Sequence, residues 1–260
     1  MPGQHQVPGP IDACGWISSA SNCPVEVGKI TFKVTICSHL VTSRHRIGHA
    51  QLGDAYYSRV RGYLRRVPQH FSRIAVLGLG LIGGSVLRAL DQGGYPVVGY
   101  DPDPGEAGAA RGSGYRLAND AATAVAGADL VVLAMPLPEL PAALESISGS
   151  LRAGVIVTDV GTLKAPVLSQ VRAILPAARF VGGHPLAGTE QSGFLASDPM
   201  LFRDAPWALT LEEDTDLDAW LSLAVLLCDL GAKPVPTTAL EQDAAVARVI
   251  GLPHVLAEAL

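Results

Sequence analysis

A glycine-rich turn, an imidazole and an ammonium are the groups in this 260-residue chain whose types and spacing can do chemistry. Gly78, Gly80, Gly83 and Gly84 crowd into RIAVLGLGLIGGSVLRAL, residues 73–90, between an apolar run and a helical one. In that setting Gly-x-Gly-x-x-Gly suits a dinucleotide cradle. Gly78 permits the tight turn, Gly80 leaves room for backbone to approach a pyrophosphate, and Gly83 lets helix and strand pack closely. Leu81 and Ile82 complete the loop at a helix start whose unpaired N–H groups favour phosphate. Asp101, 23 residues after Gly78 and ending the next apolar run, can accept hydrogen bonds from the adenosine ribose hydroxyls. Its charge repels the extra phosphate of NADP, and no Arg follows it in PDPGEAG, so NAD is expected over NADP. Met135 and Pro136, where ADLVVLAMP ends, fall on the same cofactor.

Polar groups follow two later apolar runs. VTDVGTLK delivers Asp159, Thr162 and Lys164; FVGGHPLAGTEQSG delivers His184, Thr189 and Glu190. Open α/β sheets bind ligands beyond the C-terminal ends of their strands. A nicotinamide enzyme oxidising an alcohol needs a group to take the hydroxyl proton as hydride leaves. Neutral histidine suits, because its ordinary pKa is about 6.5. His184, beside two glycines at a strand end, is expected in that role. Lys164 can bind a substrate carboxylate.

The elements that must position these groups alternate. RIAVLGLG, PVVGYDPDP, ADLVVLAMP, GVIVTDVG and ARFVGGHP read as strands, with helices between them. That rhythm predicts right-handed βαβ units and a doubly wound, Rossmann-type, mostly parallel α/β sheet. WALTL and AKPVPT read as further strands flanking the helix TDLDAWLSLAVLLCDLG, which Thr215 can cap. From about Thr238 a new helix runs to Leu260, with Pro253 expected to kink or interrupt it. Residues 71–236 therefore read as a dinucleotide-binding domain and 237–260 as the first helix of another. Residues 1–70 read as an unassigned, poorly ordered extension, with KITFKVTI a weak strand.

Composition narrows the partners. Residues 1–70 carry 8 basic against 3 acidic side chains, and the remainder 11 against 21. An acidic main body argues against nucleic acid, whose phosphates need basic surface. No apolar run approaches the ~20 residues of a membrane span, and no secretory signal pattern opens the chain. The four cysteines show no C-x-x-C spacing, so no metal is expected and reduced thiols in the cytoplasm are.

The motifs GLGLIGGS, DVGTLK, FVGGHPLAGTEQSG and LPHVLAEAL, in this order, resemble the prephenate/arogenate dehydrogenase family of tyrosine biosynthesis over residues 72–260. The resemblance implies NAD-dependent oxidative decarboxylation of prephenate to 4-hydroxyphenylpyruvate. The alternatives are arogenate as substrate, or an inactive NAD-binding fragment. It implies that His184 bonds and polarises the substrate hydroxyl, and that Thr162, usually Ser, contacts that hydroxyl and orients the histidine. Thr189 and Glu190 then line the substrate entrance beside Lys164, and His254 lies near the substrate carboxylates. Two departures stand out: Gln242-Asp243 where the family often has His-Asp, and Ile250-Gly251 where it often has Ser-His. The family's helical domain, which makes a homodimer and supplies an Arg to the substrate, continues well past this point. The chain therefore reads as ending at the start of a truncated all-helical second domain.

Overall fold

The computed structural model describes residues 24–27, 30–33 and 71–258, the side chains of 24–27, 30–33, 253 and 254 aside. The chain divides into two compact units, Met1–Leu52 and Gly53–Leu260. In the first, β1 (Pro24–Val27) and β2 (Ile30–Lys33) pair antiparallel. β2 falls inside KITFKVTI, the run expected to form a strand. The poor order expected for the rest of 1–70 lies outside the described residues.

The second unit is built on β3 (Ile74–Leu77), β4 (Val97–Tyr100), β5 (Leu130–Leu133), β6 (Ile156–Asp159) and β7 (Arg179–Val181). They form one sheet in the order β4-β3-β5-β6-β7, every pairing parallel. All residues of β3, β5 and β6 are buried, which is why β3 and β5 are apolar without alternation, while β6 ends on the buried polar pair Thr158 and Asp159. On one face α1 (Leu81–Gln92) and α6 (Leu217–Asp229) join a core of Val86, Leu87, Leu90, Leu223, Leu226 and Leu227. On the other, α3 (Ala121–Val125), α4 (Leu140–Ile147) and α5 (Ala165–Ile174) cover Leu77, Val131 and Val157. α2 (Pro104–Gly112) opens on a proline, with the Asp103 carboxylate accepting from the Gly105 and Glu106 N–H groups. The doubly wound Rossmann-type expectation is borne out. The chain leaves β3 toward β4 and returns to β5 on the other side, so the strand order reverses between β3 and β5 and opens a crevice there.

A second sheet has the order β10-β9-β8, from β8 (Gly183–Pro185), β9 (Pro206–Thr210) and β10 (Lys233–Thr237). β9 and β10 are parallel, and β8 runs antiparallel to β9. The sequence reading made ARFVGGHP one strand; the structure breaks it at Gly182. There the Gly182 N–H donates to Thr210 Oγ1 and the Thr210 N–H donates to the Gly182 carbonyl, both at 2.8 Å. The chain thus passes from one sheet to the other. His184 lies in the middle of β8, not at the end of a parallel strand.

Two smaller expectations also change. Asp216, not Thr215, caps α6, accepting from the Ala219 N–H; Thr215 Oγ1 accepts from the Glu212 N–H instead. The last helix is interrupted before Pro253. α7 (Ala239–Val246) passes through a π-helical turn, Ala247–Gly251, into α8 (Leu252–Glu258). Pro253 sits in the first turn of α8, where its missing N–H is not required. Among the described residues no helix is long and apolar enough to cross a membrane.

Candidate functional site

The glycine turn sits at the reversal point, between the C-terminal ends of β3 and β5. Gly78 has φ +91°, in the left-handed region that favours glycine. A β-carbon on Gly83 would stand 1.9 Å from the Gly78 carbonyl oxygen and 2.8 Å from Ala134 Cβ, so α1 and the strand ends meet backbone to backbone. Gly80 is different: a β-carbon there would meet nothing within 4 Å. It is the N-cap of α1, no side chain caps the helix, and no acid stands in the first turn. The first-turn N–H groups, those of Leu81, Ile82 and Gly83, are therefore free of side-chain competition for an anion. Asp101 reaches back to this loop, its Oδ2 accepting from the Leu79 N–H at 2.5 Å and its Oδ1 from the Asp103 N–H at 2.8 Å. Open space over Gly80, bare helix N–H groups and a carboxylate on the next strand fit a dinucleotide's diphosphate and ribose.

Beside the turn is a cavity of about 290 Å³ lined by Met135, Pro136, Leu137, Leu140, Asp159, Gly161, Thr162 and Leu163 among others. It joins the ends of β5 and β6. Thr162 is exposed on its wall; no hydrogen bond links it to His184 among the described residues. Asp159 connects the cavity to the histidine strand. Its Oδ1 accepts from the Gly183 N–H at 3.1 Å, its Oδ2 from the Gly161 N–H at 2.9 Å and from Lys164 Nζ.

Lys164, read from sequence as a binder of substrate carboxylate, is 1% exposed. The carboxylate it meets is the chain's own Asp159, and its ammonium also donates to the Gly183 carbonyl at 2.6 Å. Burial pushes Lys164 down and Asp159 up from their ordinary values, each opposed by the charge of the other. His184, next along the strand, is buried too. Desolvation first, and then the Lys164 charge, lower its pKa to about 4. The imidazole is therefore neutral near pH 7. Its Nδ1 lies 2.8 Å from Gln242 Nε2.

Gln242 marks what sequence reasoning missed. In sequence it is only a departure, standing where the family often has His; the structure puts its amide against His184. Asp243 keeps the residue of the His-Asp pair, and from sequence it has no assigned role. Its carboxylate accepts from the Lys164 N–H at 2.6 Å and the Ala165 N–H at 3.0 Å, capping α5 from a distant helix. The only sequence signal for either was their place in a recognisable dipeptide. Thr189 and Glu190 lie exposed on the loop after β8, the Thr189 hydroxyl accepting from the Gln191 N–H at 3.3 Å. The structure does not bring them to the imidazole by any hydrogen bond among the described residues. The side chain of His254 lies outside the described residues.

Comparison with known proteins gives a consistent picture. The model of the prephenate dehydrogenase nucleotide-binding domain matches residues 86–235. Prephenate dehydrogenase of Bacillus subtilis is 33% identical over 193 residues, covering 72% of this chain and 52% of that protein. Cyclohexadienyl dehydrogenase of Zymomonas mobilis is 34% identical over 191 residues, covering 72% and 65%. The crystal structure of prephenate dehydrogenase from Aquifex aeolicus, in complex with hydroxyphenyl propionate and NAD+, superposes with a TM-score of 0.67 at 26% identity, covering 75% of this chain and 68% of that one. The chain thus spans half to two thirds of the length of the curated relatives it matches.

Proposed function

The chain belongs to the prephenate dehydrogenase family, and on that premise we propose that it binds NAD at Gly78–Gly83 and supports the oxidative decarboxylation of prephenate to 4-hydroxyphenylpyruvate, with His184 as proton acceptor. Bound NAD supplies the acceptor for the hydride that leaves C4 of the substrate ring. His184 takes the C4 hydroxyl proton as that hydride departs. The ring carboxylate leaves as CO2, and its bonding electrons close the aromatic ring; the proton then returns to the phenolic oxygen. Aromatisation makes the step strongly downhill once the hydroxyl is polarised.

The observation that carries this reading is the buried imidazole of His184. It stands one residue from the Gly183 amide that bonds Asp159, a wall of the cavity beside the glycine turn. A base must be unprotonated at working pH and sheltered from bulk water. Lys164 and Asp159 act as a neutral pair that holds Gly183, and with it the base, in place. Asp101 favours NAD, because a second phosphate on the ribose would meet its charge. The Aquifex aeolicus relative, crystallised in complex with NAD+, supports NAD further.

The test is NADH formation from prephenate, with arogenate and NADP run in parallel. His184→Asn is expected to lower kcat by about 10²–10⁴-fold, the range for a lost acid–base group, with NAD affinity unchanged. Full activity in that variant would remove His184 from the chemistry. Turnover of arogenate alone would reassign the substrate. NAD binding without turnover of either substrate would mark the chain as a binding fragment.

A further inference from the structure

We infer that Gly84, Arg88 and Glu106 are positioning residues for the substrate: they fasten the far end of the loop that follows His184 to the two helices beside the cofactor cradle. The inference rests on the reaction proposed above and extends it to residues that touch neither the hydride nor the proton. Gly84 is the glycine of the turn that the cradle does not use. Its N–H donates to the Gly80 carbonyl at 2.8 Å, so it has nothing to offer a diphosphate, unlike the first-turn N–H groups of Leu81, Ile82 and Gly83. The space above it is filled by protein. A β-carbon on Gly84 would stand 2.9 Å from Phe194 Cδ2 and 2.9 Å from Ser197 Cβ. Helix α1 therefore receives the short 3-10 turn Phe194–Ala196 directly against its backbone.

Polar groups on both helices lock that contact. Glu106, in the first turn of α2, accepts from the Phe194 N–H at 2.6 Å. Gly193 has φ +83°, and a β-carbon there would stand 2.9 Å from Glu106 Oε1, so only glycine lets the chain pass under the carboxylate. Arg88, one turn after Gly84, donates from Nε to Ser197 Oγ at 2.6 Å, and its guanidinium lies 4.4 Å from the centre of the Phe194 ring. Ser85 Oγ accepts from the Asp198 N–H at 3.0 Å. The near end of the loop is fixed as well: His184 and Pro185 belong to β8, and the Leu186 N–H donates to the Pro206 carbonyl at 2.9 Å. Residues 187–192 thus span two fixed points, with Thr189 and Glu190 exposed between them. The near point sets the base; the far point sets what those two side chains can reach. Cutting the far fastening costs substrate affinity and spares both the base and the cofactor.

The experiment compares the native chain with Glu106→Ala, Glu106→Gln and Gly84→Ala. Amide exchange needs no substrate and reads the fastening directly. The Phe194 N–H should exchange about 10- to 100-fold faster in Glu106→Ala, as for a lost bond to a charged group, while the amides of β3 are unchanged. Glu106→Gln, whose amide oxygen still accepts, should regain most of the protection. In prephenate turnover, Glu106→Ala and Gly84→Ala should raise KM about 5- to 10-fold, with kcat and the Kd for NAD within about twofold of native, and Glu106→Gln should restore KM. A native KM in a folded Glu106→Ala chain, or native exchange at its Phe194, overturns the proposal. So does exchange that rises equally in β3, which is the mark of general loosening. A loss of NAD affinity in Gly84→Ala as large as that of Gly80→Ala would return Gly84 to the cradle and overturn it too. A native chain that binds NAD without turning prephenate over refutes the reaction instead, and the Phe194 exchange then decides the fastening by itself.

Discussion

Two substitutions in one turn separate packing from binding. Gly83→Ala places a methyl group 1.9 Å from the Gly78 carbonyl oxygen, where real β-carbons almost never come closer than 3.0 Å. The start of α1 must then retreat by about 1 Å or more, and the obstructing atoms are backbone, which cannot rotate away. Overpacking of this kind costs about 1–3 kcal/mol; the upper end applies here, with a fall in Tm of roughly 6–12 °C for a unit of this size. Gly80→Ala meets nothing within 4 Å, at φ −63°, outside the left-handed region. Its stability should stay within about 0.5 kcal/mol of native. Its methyl occupies the space left for the diphosphate, so the Kd for NAD should rise about tenfold or more, a loss of ~1.4 kcal/mol. Melting curves with and without NAD, together with titration calorimetry, read both quantities. A native Tm in the Gly83 variant, or native NAD affinity in the Gly80 variant, would show that the turn is not a cradle built as described.

Three further outcomes follow from the same contacts. Lys164→Met strands the buried Asp159 carboxylate and should cost about 3–5 kcal/mol, whereas Lys164→Met with Asp159→Leu should recover much of that in urea titrations. Asp243→Ala removes the cap on α5 that α7 provides and should cost about 1–2 kcal/mol, with faster amide exchange at Lys164 and Ala165. For pH, the folded His184 titrates at about 4 against an ordinary 6.5, so between these values the unfolded chain binds more protons. The contribution is complete above about pH 6.5 and is lost as pH falls toward 4, by roughly 1–3 kcal/mol once solvent screening is allowed for. Lys164, paired with Asp159, acts on the same ring. The stability of native chain minus that of His184→Gln, followed from pH 7 to 4, isolates the histidine. A difference that stays flat would contradict the depressed value.

How much of this was legible in the chain can be judged from particular residues. Continuous apolar runs at Ile74–Leu77 and Leu130–Leu133 announce strands covered on both faces, because burial on two sides leaves no polar alternation. The Gly78–Gly83 spacing and Asp101 announce the cradle, because a tight turn and a close backbone approach are local demands that only glycine meets. His184 could be nominated from its neighbours. Its surroundings could not. Whether three residues after Gly182 extend one sheet or join another depends on Thr210, which local pattern does not bring near. The partner of Lys164 follows from the same packing, which buries an ammonium only where a carboxylate and a carbonyl are already waiting. Gln242 reaches His184 because α7 is anchored at Ala239 to Glu212 and at Asp243 to the start of α5. Periodicity encodes which face of an element is buried; tertiary packing alone decides which distant polar group is buried against it, since the cost of an unpaired buried charge or donor is settled between elements and not within them.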